Sequence, residues 1–257
     1  MKAYIETSSG LKKIDLSRPM GIHLPIENEQ RLGAWYLSPP SILPHKNGNF
    51  IGSVSQGAAI NFNDIMFNPH AHGTHTECVG HIIEGDYKIM QSMSQFFFEA
   101  ILVSVGPQNV GNDLIISEEV LSKALKDKAP AEALIIRTLP NTEIKKQQNY
   151  SHSNPPYLTE AAAVCIREWG VKHVLIDLPS IDKEEDGGAL LAHRAFWDVG
   201  GVLRTQATIT EFIFVPSKIE DGRYALQFGL APFVNDASPS SVFLYNMLDS
   251  SSDFLNR

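Results

Sequence analysis

The chain is short of cysteine, of positive charge and of long apolar runs, and each shortage excludes something. Two cysteines in 257 residues, Cys78 and Cys165, cannot build a disulfide framework. Each lies among small or apolar neighbours, where a buried free thiol is expected, as suits a reducing, cytoplasmic setting. The 21 Lys and Arg are outnumbered by 29 Asp and Glu, for a net charge of −8. An acidic balance of that size argues against nucleic acid and against an anionic membrane surface as partner, and leaves a small-molecule substrate. No stretch reaches the roughly 18 consecutive apolar residues of a membrane span. The opening MKAYIETSSGLKKIDL alternates polar and apolar residues without the continuous apolar core of a secretory signal, so none is expected. A Gly-x-Ser-x-Gly elbow is also missing, which removes a common way of presenting a nucleophilic serine. Without repeats, low-complexity segments or a clear linker, residues 1–257 read as one domain.

What the chain has is histidine concentrated in one place. Asn68 to His81 reads NPHAHGTHTECVGH and carries four of the nine histidines, His70, His72, His75 and His81, with Glu77 among them. Imidazole and carboxylate are the ligands borderline divalent metals prefer, so the stretch is a candidate metal site. The competing reading is a set of satisfied core histidines. Proline holds the residue before it extended, so Asn68-Pro69 should present His70 from a turn rather than a helix. After Gly73, the β-branched Thr74 and Thr76 alternate with His75 and Glu77. On an extended strand positions i and i+2 share a face, so His75 and Glu77 should point into the same space.

The rest of the chain alternates strands and helices. Lys2–Thr7 and Leu11–Leu16 are expected as a hairpin around Ser8, Ser9 and Gly10, and AWYLSPPSILPHKNGNF as a long surface loop carrying a solvated His45. One or two strands should fill Phe50 to Phe67. Strands at Glu99–Val105 and Ala133–Thr138 flank a helix capped by Ser117, with Glu118 and Glu119 at its positive end and Lys123, Lys126 and Lys128 toward its negative end. Those two glutamates are helix-stabilising surface charges rather than catalytic acids. Thr159 should cap a second helix to Trp169, stopped by Gly170, before the buried strand of KHVLIDLP. Strand, helix, strand in that order predicts parallel pairing through a right-handed crossover. A third helix is expected over Ala189–Val199, ended by Gly200 and Gly201, and its His193 would by itself read as a satisfied core residue. ATITEFIFV, EDGR and YALQFGLAPF read as a closing antiparallel hairpin. Glu211 interrupts the first of those strands: it either pleats outward to water or, if buried, needs a partner such as a metal. His152 in a polar loop and His173 at the start of a strand have ordinary structural readings. The sum is an α/β fold, a single domain with a mixed β-sheet core.

Gly73-Thr74-His75-Thr76-Glu77, with His81 four positions on, resembles the signature His-x-Gly-Thr-His-x-Asp-x-x-x-His of the metal-dependent cyclase family, which includes bacterial kynurenine formamidase. Further blocks resemble the family in the same order: NPPYLTEAAA at Asn154–Ala163, LIDLPSID at Leu175–Asp182, LLAHRAF at Leu190–Phe196 and the strand around Glu211. The resemblance implies a swivelling β/β/α fold, assembly as a homodimer or homotetramer, and one or two zinc or manganese ions held by both halves of the chain. His70 and His75 would bind one ion, Glu77 would bridge where the family has Asp, and His193 and Glu211 would complete a second or shared site. His81 matches the histidine assigned to proton transfer. The implied activity is hydrolysis of a small amide, formamide or cyclic amide by metal-activated water, in the manner of an arylformamidase. A metal-stabilised small-molecule binding or sensor protein on the same scaffold is the alternative. The chain departs from the family in three places. The family's first signature histidine falls on Ala71 here, so a one-residue insertion makes His70 the ligand, with His72 as the other candidate. Glu77 adds a methylene to the family's Asp, and the interval from His193 to Glu211 is longer than in the formamidases.

Overall fold

Apolar residues occupy both faces of the central strands, so each face needs its own cover, and the chain supplies two different ones. The computed structural model describes residues 1–7 and 10–249. Seven strands form a closed ring: β1 (His75–Glu77), β2 (Phe97–Val105), β3 (Ala133–Thr138), β4 (His173–Ile176), β5 (Thr208–Glu211), β6 (Gly222–Leu230) and β7 (Ala237–Asn246). Around the ring they run β6, β2, β3, β4, β5, β1, β7 and back to β6. The four strands β2 to β5 are parallel neighbours. Every pairing that involves β1, β6 or β7 is antiparallel.

Along the parallel strands, alternate residues face opposite ways. Ala100, Leu102, Ala133, Ile135 and Leu175 turn into the ring and meet Leu226, Phe228, Val242 and Leu244. Ile101, Val103, Leu134, Ile136, Val174 and Ile176 turn outward beneath three helices, α1 (Glu118–Leu125), α2 (Glu160–Glu168) and α3 (Leu191–Phe196). Leu121, Ile166 and Phe196 complete that outer layer from the helix side. Each fully buried side chain of this size stabilises by about 1.5–3 kcal/mol, so the ring is held from within and from without.

The helix ends follow the local chemistry. Ser117 Oγ accepts the Val120 N–H, and Thr159 Oγ1 accepts the Ala162 N–H, so both expected caps are made. Gly170, at φ 88°, stops α2. The third helix is shorter than Ala189–Val199, because Leu190 at φ 47° and Asp198 at φ 54° take left-handed conformations on either side of it.

Three expectations are corrected. The residues from Ser41 onward are not one loop: Ser41–Pro44 pairs with Asn63–Met66, and Lys46–Asn47 with Phe50–Ile51, making a projecting arm. Its proline does not interfere, since Pro44 sits at the end of a strand with a free edge. The closing hairpin joins β6 to β7, not β5 to β6. Phe212, at φ 54°, breaks the extended run after Glu211, and β5 is instead inserted between β4 and β1. Of the cysteines, Cys78 is buried but Cys165 is half-buried. The N-terminal hairpin pairs Lys2 with Asp15 through Thr7 with Gly10, and its expected turn residues Ser8 and Ser9 lie outside the described residues. Among the described residues no helix is long and apolar enough to cross a membrane.

Candidate metal centre

His75 and Glu77 leave β1 on one side, as the pleat requires, and neither is exposed to solvent. In β5, Glu211 lies opposite His75 and Ile209 opposite Glu77. Directly opposed residues share a face, and Ile209 belongs to the layer under the helices, so the three polar residues occupy the helix-covered face. Thr76 and Thr210 take the other face, with their Oγ1 atoms 2.9 Å apart. Glu211 is therefore buried beneath the helices rather than turned to water, and its Oε1 accepts the Ile181 N–H at 2.9 Å.

His193 arrives on α3, positioned by Asp182. The two Asp182 oxygens accept the Ala192 and His193 N–H groups at 2.7 and 3.0 Å, capping a helix whose own N-cap, Leu190, offers no side-chain acceptor. Asp182 Oδ2 also takes His193 Nδ1 at 2.5 Å. With Nδ1 held, Nε2 is aimed at Glu77 Oε1, 3.0 Å away.

His70 sits in the turn its Asn-Pro setting predicts, its N–H donating to Asn68 Oδ1 at 2.9 Å. Its ring lies between two carboxylates, Nδ1 3.0 Å from Glu77 Oε2 and Nε2 2.9 Å from Asp236 Oδ2. His81 follows in the short turn Val79–His81, stacked on His70 with ring centroids 4.3 Å apart. Its Nε2 is 3.8 Å from Glu77 Oε2 and its Nδ1 3.5 Å from Asp236 Oδ2. His81 keeps 31% of its side chain exposed, which places the mouth of the site on its side.

All six residues singled out in the sequence, His70, His75, Glu77, His81, His193 and Glu211, are thus brought together. The donor atoms of five of them form two groups, His70 with Glu77 and His81, and His75 with Glu77 and Glu211, within 4.8 Å in each, and His193 joins through its contact with Glu77. Glu77 is common to both. His72 enters neither group; its Nδ1 accepts the Asn68 N–H at 2.9 Å, and burial lowers its pKa. His173 packs against Phe98 and bonds Thr208 Oγ1, well served as a core residue.

The charges favour an ion. Burial works against the charged forms of His70 and His193, but hydrogen bonds to Asp236 and Glu77 on the first, and to Asp182 and Glu77 on the second, push both pKa values up to about 10. Burial likewise opposes charge on Glu77, and the surrounding imidazoles, His81 foremost, outweigh it and hold the carboxyl well below its usual range. The site is therefore a buried anion that collects cations. His75 shows what is still missing: its Nδ1 donates to the Gly73 carbonyl at 3.1 Å, which leaves a lone pair on Nε2, and that buried atom has no hydrogen-bond partner. An orphaned buried acceptor beside two carboxylates fits a divalent cation.

Two members escaped the sequence reading. Asp182 lies in a block already noted, but nothing in its spacing announces a bond to a residue of the next helix. Asp236 sits in a plain turn before β7 and gives no local signal at all. A cavity of about 610 Å³ beside Phe97, Phe98, Glu99 and Trp169 contains none of these residues.

The sequence of residues 14–183 matches the model of a family described as "Putative cyclase". No curated protein matches the chain. Among solved structures, the fold is similar to that of a potential metal-dependent hydrolase with cyclase activity, at 16% identity and a TM-score of 0.63 over 89% of this chain and 97% of that one. It is also similar to isatin hydrolase A from Labrenzia aggregata, at 12% identity and a TM-score of 0.63 over 89% and 93% of the two chains. Isatin hydrolase A from Ralstonia solanacearum gives 11% identity and a TM-score of 0.65 over 89% and 91%.

Proposed function

The chain belongs to the cyclase family, whose model covers residues 14–183, and from that premise we propose that it is a metal-dependent hydrolase of small amides, formamides or cyclic amides. The observation that carries the reading is Glu77, wholly buried, with one oxygen 3.0 Å from His193 and the other 3.0 Å from His70, beside the unpartnered Nε2 of His75. His70, His75, Glu77, His193 and Glu211 would hold one or two zinc or manganese ions. Such an ion supplies Lewis acidity, toward water and toward an amide carbonyl.

The chain's own residues do the rest. Asp182 fixes His193 through Nδ1, and the Gly73 carbonyl fixes His75 in the tautomer that frees Nε2. His81, at the open side, takes a proton on Nε2 from the attacking water and returns it to the leaving nitrogen, acting first as general base and then as general acid. Asp236 beside His81 Nδ1 favours the proton on that atom and so leaves Nε2 ready to accept. Fold neighbours named for the hydrolysis of isatin, a cyclic amide, support that substrate class. Two free cysteines are in keeping with a cytoplasmic setting.

Metal analysis of the purified protein, with turnover measured on N-formyl anilides and lactams, tests the proposal. Metal-dependent hydrolysis is expected, and His81→Ala should keep the metal while losing about 10²–10⁴-fold in turnover. Full activity after chelation, or full turnover in the variant, would overturn it. Tight binding without turnover would favour the small-molecule binder on the same scaffold.

A further inference from the structure

Two adjacent aromatic residues outside the donor set hold a backbone conformation that their types resist. Trp35 and Tyr36 both have φ 60°, and among the described residues no other two adjacent non-glycine residues are both left-handed. Bulky L side chains avoid that region, and they stay in it only where the surrounding structure fixes them. Here the fixing contacts are visible. Trp35 packs with Leu32, Ala34, Tyr150 and Phe212, and the Tyr36 N–H donates to Ser151 Oγ at 2.9 Å.

The two side chains reach the two halves of the centre. Trp35 Nε1 donates to the His70 carbonyl at 3.0 Å. The Tyr36 hydroxyl donates to Glu184 Oε1 at 3.0 Å, with Glu185 Oε1 3.4 Å away, and its ring lies against that of His152, centroids 4.4 Å apart. Glu184 is itself lodged in a backbone nest, accepting the N–H groups of His152, Ser153 and Asn154 at 2.5, 3.1 and 2.8 Å. Two residues before Glu184 comes Asp182, which holds His193 Nδ1, and Lys183 between them is tied to Asp113 Oδ2 at 2.7 Å. Trp35 thus bears on His70, and Tyr36 bears on the loop that fixes His193. Those are the two imidazoles that meet the two oxygens of Glu77.

We propose that Trp35 and Tyr36 are positioning residues of the metal centre, Trp35 for His70 and Tyr36, through Glu184 and Asp182, for His193; the proposal rests on the metal-dependent reading above. His70 comes from a turn and His193 from a short helix more than a hundred residues later, so both can meet Glu77 only if the two segments share a reference. A dipeptide bonded to each supplies it. Glycine at either position would relieve the backbone but would remove the contact, so the strain and the two contacts belong together. Neither side chain bonds a donor atom, so both act on the geometry of the ligands and not on the reacting atoms.

The test uses Tyr36→Phe, which removes one hydroxyl, and Trp35→Phe, which removes one N–H, each keeping an aromatic ring. In chelator-treated protein carrying isotope-labelled histidine, nuclear magnetic resonance should show Tyr36→Phe shifting the ring nitrogens of His193 and speeding solvent exchange of the proton it shares with Asp182, with His70 unmoved. Trp35→Phe should shift His70 and leave His193. Tyr224→Phe, which loses a bond to the Glu220 carbonyl on a strand that does not neighbour those of the centre, should shift neither. Calorimetric titration with zinc or manganese should show Tyr36→Phe and Trp35→Phe binding about tenfold more weakly, the lower end of what an outer partner of a ligand supplies. In an Asp182→Asn background Tyr36→Phe should add no further loss, since both act through one imidazole. Either variant shifting both rings would mean general loosening and overturn the proposal, as would unmoved rings, unchanged affinity or losses that simply add. If Trp35→Phe fails to fold, Tyr36→Phe decides alone, at a position 52% exposed. A wild type that bound no metal would sink the metal-dependent reading instead, and the histidine signals, read without metal, would still decide the positioning.

Discussion

Glu77 Oε1 stands 3.0 Å from His193 Nε2 although 116 residues separate them in sequence. The contact spans the seam of the ring, where parallel β5 meets antiparallel β1, with Glu211 registered opposite His75. A ring closed by antiparallel strands brings an early strand beside the last parallel one, which a helix-strand repeat alone cannot do. The seam is where an early signature and a late helix can share one carboxylate.

Glu77→Gln removes the charge that both His70 and His193 use. In metal-free protein, two imidazoliums would lose a buried counter-ion, and breaking such a pair costs about 3–5 kcal/mol. Urea unfolding of chelator-treated protein should show that loss, and metal titration should show binding abolished. Glu77→Asp should retain binding, since the charge survives, but a side chain one methylene shorter cannot reach both His70 and His193 as Glu77 does. Equal stability of wild type and Glu77→Gln would place the charge elsewhere.

Asp182 and Asp236 should separate affinity from turnover. Of the site's imidazoles Asp182 bonds His193 alone, so Asp182→Asn is expected to weaken metal binding about 10–100-fold and to regain turnover at saturating metal. Asp236 touches both His70 and His81, so Asp236→Asn should lower affinity and also leave a deficit in kcat that excess metal does not repair. Metal-dependent kinetics on the two variants would expose the difference; identical profiles would show that Asp236 does not act through His81.

How much of this was legible in the sequence depends on the range of the interaction. His75 and Glu77 share a face because a pleat repeats every two residues, and the turn at His70 follows from Asn68-Pro69; both are local and both were readable. The caps at Ser117 and Thr159 are local too. Glu211 was ambiguous, because inward or outward orientation is set by β1 pairing beside it, a partner more than a hundred residues away. The closing hairpin was misjudged for a similar reason: Phe212 takes a left-handed backbone that its residue type disfavours, and only the tertiary bonds around it explain why. Asp236 was invisible, since its role depends entirely on where β7 begins in space.

Protons and metal should compete for the imidazoles. In the metal-free protein, against the opposing effect of burial, Asp236 and Glu77 raise His70, and Asp182 and Glu77 raise His193, from 6.5 to about 10. A pKa raised on folding contributes stability that is whole below the unfolded value and is lost as pH climbs through the folded one. The metal-free protein should therefore lose this contribution between pH 6.5 and about 10. Metal needs the same nitrogens deprotonated, so apparent affinity should rise across that interval with protons released. Thermal unfolding with chelator and calorimetric titration in buffers of different ionisation heat would measure both trends. A Tm that rose with pH over this range without metal would contradict the assignment.

Gly73→Ala tests whether the backbone behind His75 matters to the ion. Gly73 holds φ 127°, a left-handed conformation that L side chains resist, and an added Cβ would lie 3.1 Å from the Leu24 carbonyl oxygen and 3.2 Å from Ile26 Cγ1. The turn is already tied there: Thr74 N–H donates to the Leu24 carbonyl at 3.2 Å, and Leu24 N–H to Thr74 Oγ1 at 2.7 Å. Strain of this kind costs about 1–3 kcal/mol, and relief would move the Gly73 carbonyl that fixes the His75 tautomer. If the damage were to the fold alone, Tm would fall equally with and without metal. Because the same carbonyl aims the unpartnered Nε2, the rise in Tm on adding zinc or manganese should itself shrink in the variant. An undiminished metal-induced rise would separate the turn from the site.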